Sequence, residues 1–393
     1  MEVKKGYKQT EMGVIPEDWE VSPLEAFTSF ISYGFTNPMP TSESGVHMIT
    51  AKDINSGKIQ FDTARCTTEE AYRTLLTAKS RPKKGDLLLT KDGTLGRLAL
   101  VGDRTVCINQ SVAVLRPNTK AIPEFLKVLL EAPAYQNRML EDAGGSTIKH
   151  IYITIVNRMP LVVPPTKAEQ TAIATVLSDA DALIQSLEKL IAKKRNIKQG
   201  AMQELLKPKE GWVVKKLWES TICLDNLRIP LNESQRASMQ GDIPYCGANG
   251  ILDYINDYCI DDDIILIAED GGYFDEYAHR PIAYKMSGKC WVNNHAHILK
   301  AKEDMTQDFI FYSLVHKNIL RFLASGTRAK LNKSEMYKIE IDVPPSIEEQ
   351  TRIATILSDM DAQISALETK LAKFKQLKQG MMQNLLTGRI RLV

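Results

Sequence analysis

Apolar residues recur with a heptad spacing in two segments of the chain, 180 residues apart. When Ala180 and Met360 are counted, the steps between them alternate between four and three residues, which is typical of a helix that buries one narrow seam. The first segment meets no proline before Pro208, and no proline follows Pro345 in the second, so each predicted helix extends for about 40 residues, roughly 60 Å. The predicted seam consists of Ile173, Leu177, Ile184, Leu187 and Ile191 in the first segment, and of Ile353, Leu357, Ile364, Leu367 and Leu371 in the second.

The beginning of each helix carries the same local signal. A pair of prolines, which cannot sit inside a helix, precedes Thr166 in the first segment and Ser346 in the second. Three positions later each hydroxyl residue is followed by a glutamate, Glu169 or Glu349. This arrangement predicts a capping box, in which the hydroxyl accepts from an early helix N–H and the glutamate reaches back.

The two segments are copies of one another. Residues 163–206 and 343–386 are identical at 26 of 44 positions, so the chain contains an internal duplication. Weaker parallels precede each copy: a buried strand in GDLLLTKDG and DDIILIAEDG, an alternating strand in CINQSVAVLRP and WVNNHAHILKA, and a helix in IPEFLKVLL and TQDFIFYSL. We therefore predict two modules with one scaffold, divided into residues 1–162, a long helix in 163–208, residues 209–342 and a second long helix in 343–393.

A narrow apolar seam needs a partner, and the other copy is already tethered in the same chain. The periodicity alone leaves a parallel and an antiparallel pairing open. It also leaves two roles open. The helices could simply join two domains, or they could act as a rigid spacer that holds two recognition domains a fixed distance apart.

Composition places the chain among ordinary globular proteins. Its 393 residues suffice for two or three domains, with 44% apolar and 25% charged residues. We expect no membrane span, because no run of about 18 apolar residues is present, and no secretory signal, because the N-terminus lacks an apolar core. The six cysteines form no C-x-x-C pair, so we expect reduced thiols and a cytoplasmic location.

The charge distribution is not that of a protein that binds nucleic acid by charge alone. Residues 1–165 carry 20 basic and 18 acidic side chains, and residues 211–342 carry 15 and 19. DNA-binding domains are usually more basic than this. If DNA is the ligand, local patches or partner subunits must supply the positive charge.

The sequence contains no complete catalytic motif. MSGKC at 286–290 lacks the first glycine of a phosphate-binding loop, and the Pro-Pro pairs lack the flanking residues of a methyltransferase motif. His295 and His297 lie on one face of a predicted strand without a matching cysteine or carboxylate. Glu269 and Asp270 precede two glycines, which favours a turn over a nuclease acid pair. We therefore expect no catalytic residue, no metal site and no cofactor.

The motifs occur twice in one order: a tryptophan near the start, a GD or DD strand, a strand with Asn-Gln or Asn-Asn, a basic G-S or G-T loop, and V-P-P-x-x-x-E-Q-x-x-I opening a long helix. This order resembles the specificity subunit of type I restriction-modification enzymes over essentially the whole chain. The resemblance implies an α+β fold with two globular target recognition domains of similar scaffold. Two long helices would join them as an antiparallel coiled coil with pseudo-two-fold symmetry.

The resemblance also implies a function and partners. A specificity subunit is not itself catalytic and reads a bipartite, asymmetric site in double-stranded DNA, one recognition domain per half-site. Two methyltransferase subunits dock on it, and ATP-dependent restriction subunits join through the complex. Two alternatives remain open: a subunit of a related system whose partner fuses cleavage and methylation, and a coiled-coil adaptor that binds protein.

Candidate DNA contacts follow from residue chemistry. Phosphate contacts are expected from two small polar and basic loops, because backbone N–H groups, hydroxyls and positive charges bind phosphate oxygens. Their candidates are Ser146, Thr147, Lys149 and His150, and Thr327, Arg328, Lys330 and Lys333. Base contacts are expected from amide and basic side chains, namely Lys91, Arg97, Asn109, Gln110, Asn293 and Asn294. Two alternatives remain open. The loops could be solvated without contacting phosphates, and the paired asparagines could cap strand ends instead of contacting bases.

Overall fold

The computed structural model describes residues 4–141, 143, 149–324 and 329–392. The chain forms two compact units: unit 1 is Met1–Leu187 with Lys370–Val393, and unit 2 is Glu188–Thr369. Both boundaries fall inside long helices, so each unit contains the beginning of one long helix and the end of the other. Among the described residues, no helix is long and apolar enough to cross a membrane.

Unit 1 is built on a four-stranded antiparallel sheet, in the order β10-β9-β12-β4, and a three-stranded sheet, β11-β5-β8. Three two-stranded pairs, β1-β2, β3-β13 and β6-β7, complete it. Its strands are β1 (Tyr7–Thr10), β2 (Gly13–Pro16), β3 (Glu20–Pro23), β4 (Thr28–Tyr33), β5 (Val46–Ile49), β6 (Ile54–Asn55), β7 (Lys58–Ile59), β8 (Arg65–Thr67), β9 (Leu87–Thr90), β10 (Leu98–Leu100), β11 (Val106–Ile108), β12 (Val112–Pro117) and β13 (Pro160–Val163).

All helices of unit 1 except the first cover one face of the four-stranded sheet and share its core. Its helices are α1 (Glu69–Leu75), α2 (Pro123–Leu130), α3 (Pro133–Glu141), α4 (Ile153–Arg158) and the first part of α5 (Lys167–Leu205). The core joins Phe125 of α2 and Leu177 of α5 with Met382 and Leu385, which lie at the far end of the chain. The C-terminal segment is thus part of the fold of unit 1.

Unit 2 repeats this plan. Its four-stranded sheet has the order β15-β22-β19-β20, its second sheet has the order β17-β16-β21-β18, and β14 pairs with β23. Its strands are β14 (Val213–Lys216), β15 (Thr221–Cys223), β16 (Gln240–Gly247), β17 (Gly250–Ile255), β18 (Ile260–Asp261), β19 (Ile264–Ala268), β20 (Ala283–Met286), β21 (Lys289–Val292), β22 (Ala296–Ala301) and β23 (Glu340–Val343). Its helices are α6 (Leu217–Ser220), α7 (Glu233–Ser238), α8 (Gln307–Leu314), α9 (Lys333–Met336) and the first part of α10 (Ile347–Leu385).

The shared architecture confirms an α+β fold with two similar sheet regions and two long helices in contact. The second sheet of each unit contains one parallel pair, β5 with β11 and β16 with β21. The predicted buried strands are β9 and β19, whose residues are all buried. The predicted short helices are α2 and α8.

The predicted alternating strands are wrong in one respect, because each is two strands in two different sheets. The break falls at the paired amide residues. Asn109 Oδ1 accepts from the backbone N–H and the hydroxyl of Ser111, and Asn293 Oδ1 accepts from the backbone N–H of His295. An asparagine that bonds to the backbone two residues ahead makes a turn, so the chain leaves one sheet and enters the other.

The long helices begin where the sequence predicts, but only half of each capping box forms. The hydroxyls of Thr166 and Ser346 accept from the backbone N–H of Glu169 and Glu349. The fully buried Glu169 carboxylate instead binds Arg391, beyond the end of α10. Glu349 correspondingly lies 3.6 Å from the Lys209 ammonium, beyond the end of α5. In both units, therefore, the glutamate links the start of one long helix to the segment that follows the other.

The two long helices run antiparallel within each unit. In unit 1, Glu169 at the start of α5 binds Arg391, which follows α10. Asp181, further along α5, lies 2.6 Å from the ammonium of Lys378, which precedes Arg391 in the chain. In unit 2, Lys198 of α5 pairs with Asp361 of α10 in the same sense. Leu367 and Leu371 of the predicted seam are half-buried and its other eight residues are buried.

Candidate DNA interface

Three segments meet at one end of the four-stranded sheet in unit 1. The turn after β9 begins at Lys91, whose backbone N–H donates to the Ser111 carbonyl in the turn between β11 and β12 (2.9 Å). The Lys91 carbonyl accepts from the N–H of Ile151 (2.9 Å). Gly93 completes the first turn at a φ of 78°, a conformation that favours glycine. The fold thus brings Lys91, Asn109, Gln110 and His150 together.

Asp92 organises the charges of this end of unit 1. Its Oδ2 accepts from the Lys91 ammonium at 2.7 Å, and its Oδ1 accepts from His150 Nδ1 at 2.6 Å. The Lys91 side chain is only 15% exposed and lies 5.4 Å from the centre of the Tyr33 ring. The Asp92 carboxylate therefore binds Lys91 and His150, two residues that the sequence predicts to contact DNA.

The other candidate residues of unit 1 differ in their exposure and in whether their side chains already make hydrogen bonds. Gln110 and Lys149 are exposed. Asn109 is half-buried and caps its own turn. The Arg97 guanidinium donates to the Ile54 carbonyl at 3.1 Å, so it is tied to the neighbouring β6. Ser146 and Thr147 lie outside the described residues.

Unit 2 joins the equivalent three segments. The backbone N–H of Glu269, after β19, donates to the His295 carbonyl at 2.8 Å, and its carbonyl accepts from the N–H of Leu331 at 2.7 Å. Asp270 and Lys330 form an isolated antiparallel bridge, as Asp92 and His150 do in unit 1. Gly271 makes the turn at a φ of 65°. The same backbone frame thus carries different side chains.

A partly buried ion cluster holds this frame in unit 2. The Glu269 carboxylate binds the Arg228 guanidinium and, at 2.9 Å, the Lys330 ammonium. Burial raises the pKa of Glu269, but the hydrogen bonds from Arg228 and Lys330 outweigh it and lower that pKa. Arg228 also donates to the carbonyls of Asn294 and Ala296. Sequence reasoning missed Arg228, which belongs to no motif and no repeated segment.

His297 is the most deeply buried member of the cluster, at 1% exposed. Its Nδ1 donates to Asp225 Oδ2 at 2.6 Å and its Nε2 donates to the Leu331 carbonyl at 2.7 Å. Burial lowers the pKa of His297, but the bond to Asp225 outweighs burial and raises that pKa to about 9. Burial raises the pKa of Asp225, and His297 reverses this and lowers it to about 2. The pair is therefore an imidazolium and a carboxylate.

The same residues raise the question of a metal site. Ligand-type atoms of Cys223, Asp225 and His297 lie within 4.8 Å of one another. Both imidazole nitrogens of His297 donate hydrogen bonds, however, and a metal ligand requires a free nitrogen lone pair. This donor set fits a charged hydrogen-bond cluster rather than a metal ion.

The remaining candidate residues of unit 2 also differ in their exposure and in whether their side chains already make hydrogen bonds. Asn293 is 4% exposed and caps its turn, whereas Asn294 and Lys333 are exposed. Thr327 and Arg328 lie outside the described residues. Much of the acidity of this unit is paired internally: Asp262, for example, binds Lys300, and Asp253 binds Arg236. The negative net charge is thus not a measure of the face that carries the candidates.

Comparison with known proteins identifies the family. The family described as type I restriction modification DNA specificity domain matches residues 16–196 and 209–376, which is most of the chain. The chain belongs to this family. It is a DNA sequence-specificity subunit, a non-catalytic member of a type I restriction-modification complex.

Relatives of the specificity subunit occur in bacteria and archaea. A putative type I specificity subunit of Haemophilus influenzae is 39% identical, but the match covers 38% of this chain and 37% of that protein. A putative MjaX specificity subunit of Methanocaldococcus jannaschii is 26% identical over 99% of this chain and 97% of its own length. The EcoBI specificity subunit of Escherichia coli is 25% identical over 48% of this chain and 41% of its own length.

Solved structures share the fold of this specificity subunit. The S subunit of a type I restriction-modification system from M. genitalium superposes with a TM-score of 0.68, 16% identity and 98% coverage of both chains. A chain from a structural study of complex assembly and conformational transition of the type I system superposes with a TM-score of 0.55 and 16% identity, covering 96% of this chain and 99% of that chain.

Proposed function

We propose that each unit reads one half of a bipartite, asymmetric site in double-stranded DNA through the three segments that meet at the end of its four-stranded sheet. The observation that carries this proposal is the repeated frame. Three segments have the same backbone bonds in both units. They are the turn after the buried strand (β9 or β19), the asparagine turn, and the segment before α4 or α9. The side chains on the frame differ, as two different targets require.

The candidate side chains divide into two roles within this proposal. Lys149, Lys330 and Lys333 position each unit on phosphates, together with Ser146, Thr147, Thr327 and Arg328. Exposed amides such as Gln110 and Asn294 reach base edges, because an amide can bond bidentately to adenine. The turn-capping bonds of Asn109 and Asn293 hold these neighbours in place.

The long helices set the distance between the half-sites in this proposal, and they provide the surface on which two methyltransferase subunits dock. ATP-dependent restriction subunits join through the resulting complex. The boundaries 1–162, 163–208, 209–342 and 343–393 divide recognition from spacing.

The test is to express the chain with type I methyltransferase subunits and to map methylated bases genome-wide. The expected pattern is two short sequences separated by a constant unread gap. Replacing residues 209–342 by the equivalent region of a relative should then change one half-site and leave the gap and the other half-site unchanged. A contiguous site, or a swap that alters both halves, would contradict the proposal.

The role of the basic residues has its own measurement. Changing Lys149 and Lys333 to glutamine should weaken binding of the assembled complex about equally for all sequences, and should reduce the slope of affinity against salt by about one to two. The exposed Lys58, on a strand outside the frame, provides the matched control, for which no change in the salt slope is expected. A change in sequence preference at an unchanged salt slope would refute the phosphate role.

A further inference from the structure

Each unit places one half-exposed imidazole on the aspartate of the turn after its buried strand. In unit 1, His150 Nδ1 lies 2.6 Å from Asp92 Oδ1, and the two side chains are 41% and 20% exposed. In unit 2, His295 Nδ1 lies 2.7 Å from Asp270 Oδ1, with 42% and 20% exposed. The two pairs therefore agree in the bonded atoms, the distance and the exposure.

The two histidines reach this position from different parts of the scaffold. His150 lies opposite Asp92 in a backbone bridge, at the place that Lys330 occupies in unit 2. His295 belongs to the asparagine turn, at the place that Ser111 occupies in unit 1. The duplicated scaffold thus does not account for the match, because the residues are not equivalent copies. The same side-chain arrangement is produced twice on the same frame.

The aspartate fixes the chemistry of the exposed edge of the ring. A carboxylate only accepts hydrogen bonds, so Nδ1 must carry the proton that joins the pair. In the neutral ring, Nε2 then carries a lone pair and accepts hydrogen bonds. Among the residues that the structure describes, none bonds to Nε2 of His150 or His295. Each unit therefore presents one oriented acceptor.

We propose that His150 and His295 are specificity-determining residues, whose Nε2 atoms each accept a hydrogen bond from the exocyclic amino group of adenine or cytosine in one half-site. The proposal rests on the proposed function, because it assumes that this face of each unit meets DNA. Adenine and cytosine are the bases that offer an amino donor in the major groove. An oriented acceptor discriminates them from guanine and thymine, which offer acceptors at the corresponding positions.

A phosphate contact does not use the neutral ring whose proton lies on Nδ1. A phosphate oxygen only accepts hydrogen bonds, so it cannot bond to the lone pair of a neutral Nε2. The adjacent aspartate would also repel the phosphate charge. A hydrogen bond to a base edge, by contrast, depends on the orientation of the ring, and the bond from Nδ1 to the aspartate fixes that orientation.

Two substitutions separate DNA reading from loop bracing. His150→Asn and His295→Asn place an amide donor near the position of Nδ1, so the bond to the aspartate can persist while the group at Nε2 is lost. His150→Gln and His295→Gln place an amide oxygen near the position of Nε2, so an acceptor persists without the brace. The exposed His279 of unit 2 provides the control substitution, His279→Asn. Binding of the assembled complex is measured against a library randomised at each half-site position.

The expected result is specific to the half-site. His150→Asn should reduce the preference for an amino-bearing base about fivefold to tenfold at one position, with an unchanged salt slope and no change in the other half-site. His295→Asn should do the same in the other half-site only. The glutamine variants should retain part of the preference, and His279→Asn should leave both half-sites unchanged.

Three results would overturn the inference. If the asparagine variants keep full preference, the histidines are only braces. If the salt slope falls while preference stays, they bind phosphate. If preference changes in both half-sites at once, the effect is structural. These outcomes are distinct from failure of the proposed function, in which the unaltered complex itself would show no bipartite preference.

Discussion

At the scale of single residues, equivalent positions of the two units carry chemically different side chains on the same backbone frame. His297, which holds the Leu331 carbonyl in unit 2, occupies the place of Ala113 in unit 1. Glu269 likewise takes the place of Lys91. Buried ion clusters of this kind are costly to break from one side, because the remaining charge is left without a partner. The cluster therefore makes the backbone frame of unit 2 sensitive to pH.

The pH dependence of stability has a defined sign. The pKa of His297 is raised from 6.5 to about 9 in the folded protein, so its contribution is full below about pH 6.5 and is lost as the pH rises through about 9. The contribution is on the order of 3 kcal/mol. Asp225, with a pKa of about 2, contributes above about pH 4 and loses its contribution as the pH falls toward 2.

Denaturation of the unaltered chain and of His297→Gln at pH 6, 8 and 10 measures this contribution. We expect the free energy of unfolding to differ most at pH 6 and least at pH 10. His316→Gln is the control, because His316 bonds to the Tyr277 carbonyl and, within the part of the chain that the structure describes, to no carboxylate. Parallel pH profiles for the unaltered chain and His297→Gln would show that the imidazolium contributes nothing.

At the scale of elements, ion pairs fix the register of the antiparallel helices. Asp181 and Lys378 in unit 1 are partly buried, with 30% and 20% exposed side chains. We expect Asp181→Lys and Lys378→Asp each to destabilise the protein by about 1 kcal/mol, and the double exchange to recover most of the loss. A double-mutant cycle of thermal stability gives the coupling energy, and a coupling near zero would exclude a register role.

The pair Lys198 and Asp361 in unit 2 is a useful contrast. Asp361 also accepts a hydrogen bond from the Tyr312 hydroxyl at 2.7 Å. Exchanging Lys198 and Asp361 would leave this hydroxyl facing a lysine. We therefore expect the exchange in unit 2 to recover less of the lost stability than the exchange in unit 1.

The spacer role of the long helices predicts the effect of lengthening them. Four residues inserted after Leu187 and four inserted after Leu371, opposite it in the register of the ion pairs, add about 6 Å to both helices. The unread gap should grow by roughly one to two base pairs at about 3.4 Å each. Both half-sites should stay the same.

Methylation mapping of the lengthened chain decides the spacer role. Four residues inserted between the exposed Asp103 and Arg104, outside both helices, should leave the gap as it was. A lengthened chain with the original gap, or with new half-sites, would exclude the helices as the spacer.

At the scale of the whole molecule, the duplication makes one half of the chain a partner for itself. The core of unit 1 includes Met382 and Leu385 from the end of α10, and Leu386, the residue that follows it. The equivalent positions of α5 are Met202, Leu205 and Leu206, with identical side chains. Lys198 is likewise the copy of Lys378, the partner of Asp181. A second copy of residues 1–210 can therefore supply what α10 supplies in the intact chain.

We expect the fragment 1–210 to form an antiparallel, two-fold symmetric dimer. It should be weaker than the intact pairing, because Lys194 stands where α10 has Phe374 and because the tether is lost. With methyltransferase subunits it should methylate a palindrome built from the first half-site. Sedimentation at tens of micromolar protein measures the dimer, and a monomer there would contradict antiparallel self-pairing.

The sequence by itself determined the elements that local pattern controls. The heptad spacing and the proline-bounded starts predicted two helices of about 40 residues, and both have 39. The duplication predicted two units of one scaffold, and the sheet β10-β9-β12-β4 recurs in unit 2 with the same strand order. These features are recoverable because a helix buries a periodic face, and that period is written in the chain.

Only the tertiary structure decided how the sites are assembled. The asparagine turns look like parts of strands, because an alternating pattern does not reveal a side chain that bonds to its own backbone. Asp225 and Arg228 are far from Glu269 and His297 in the sequence, so their cluster has no local signal. Glu169 reaches Arg391 instead of its own helix start for the same reason. Long-range ion pairs depend on which segments the fold brings together, and a single sequence does not encode that as a spacing.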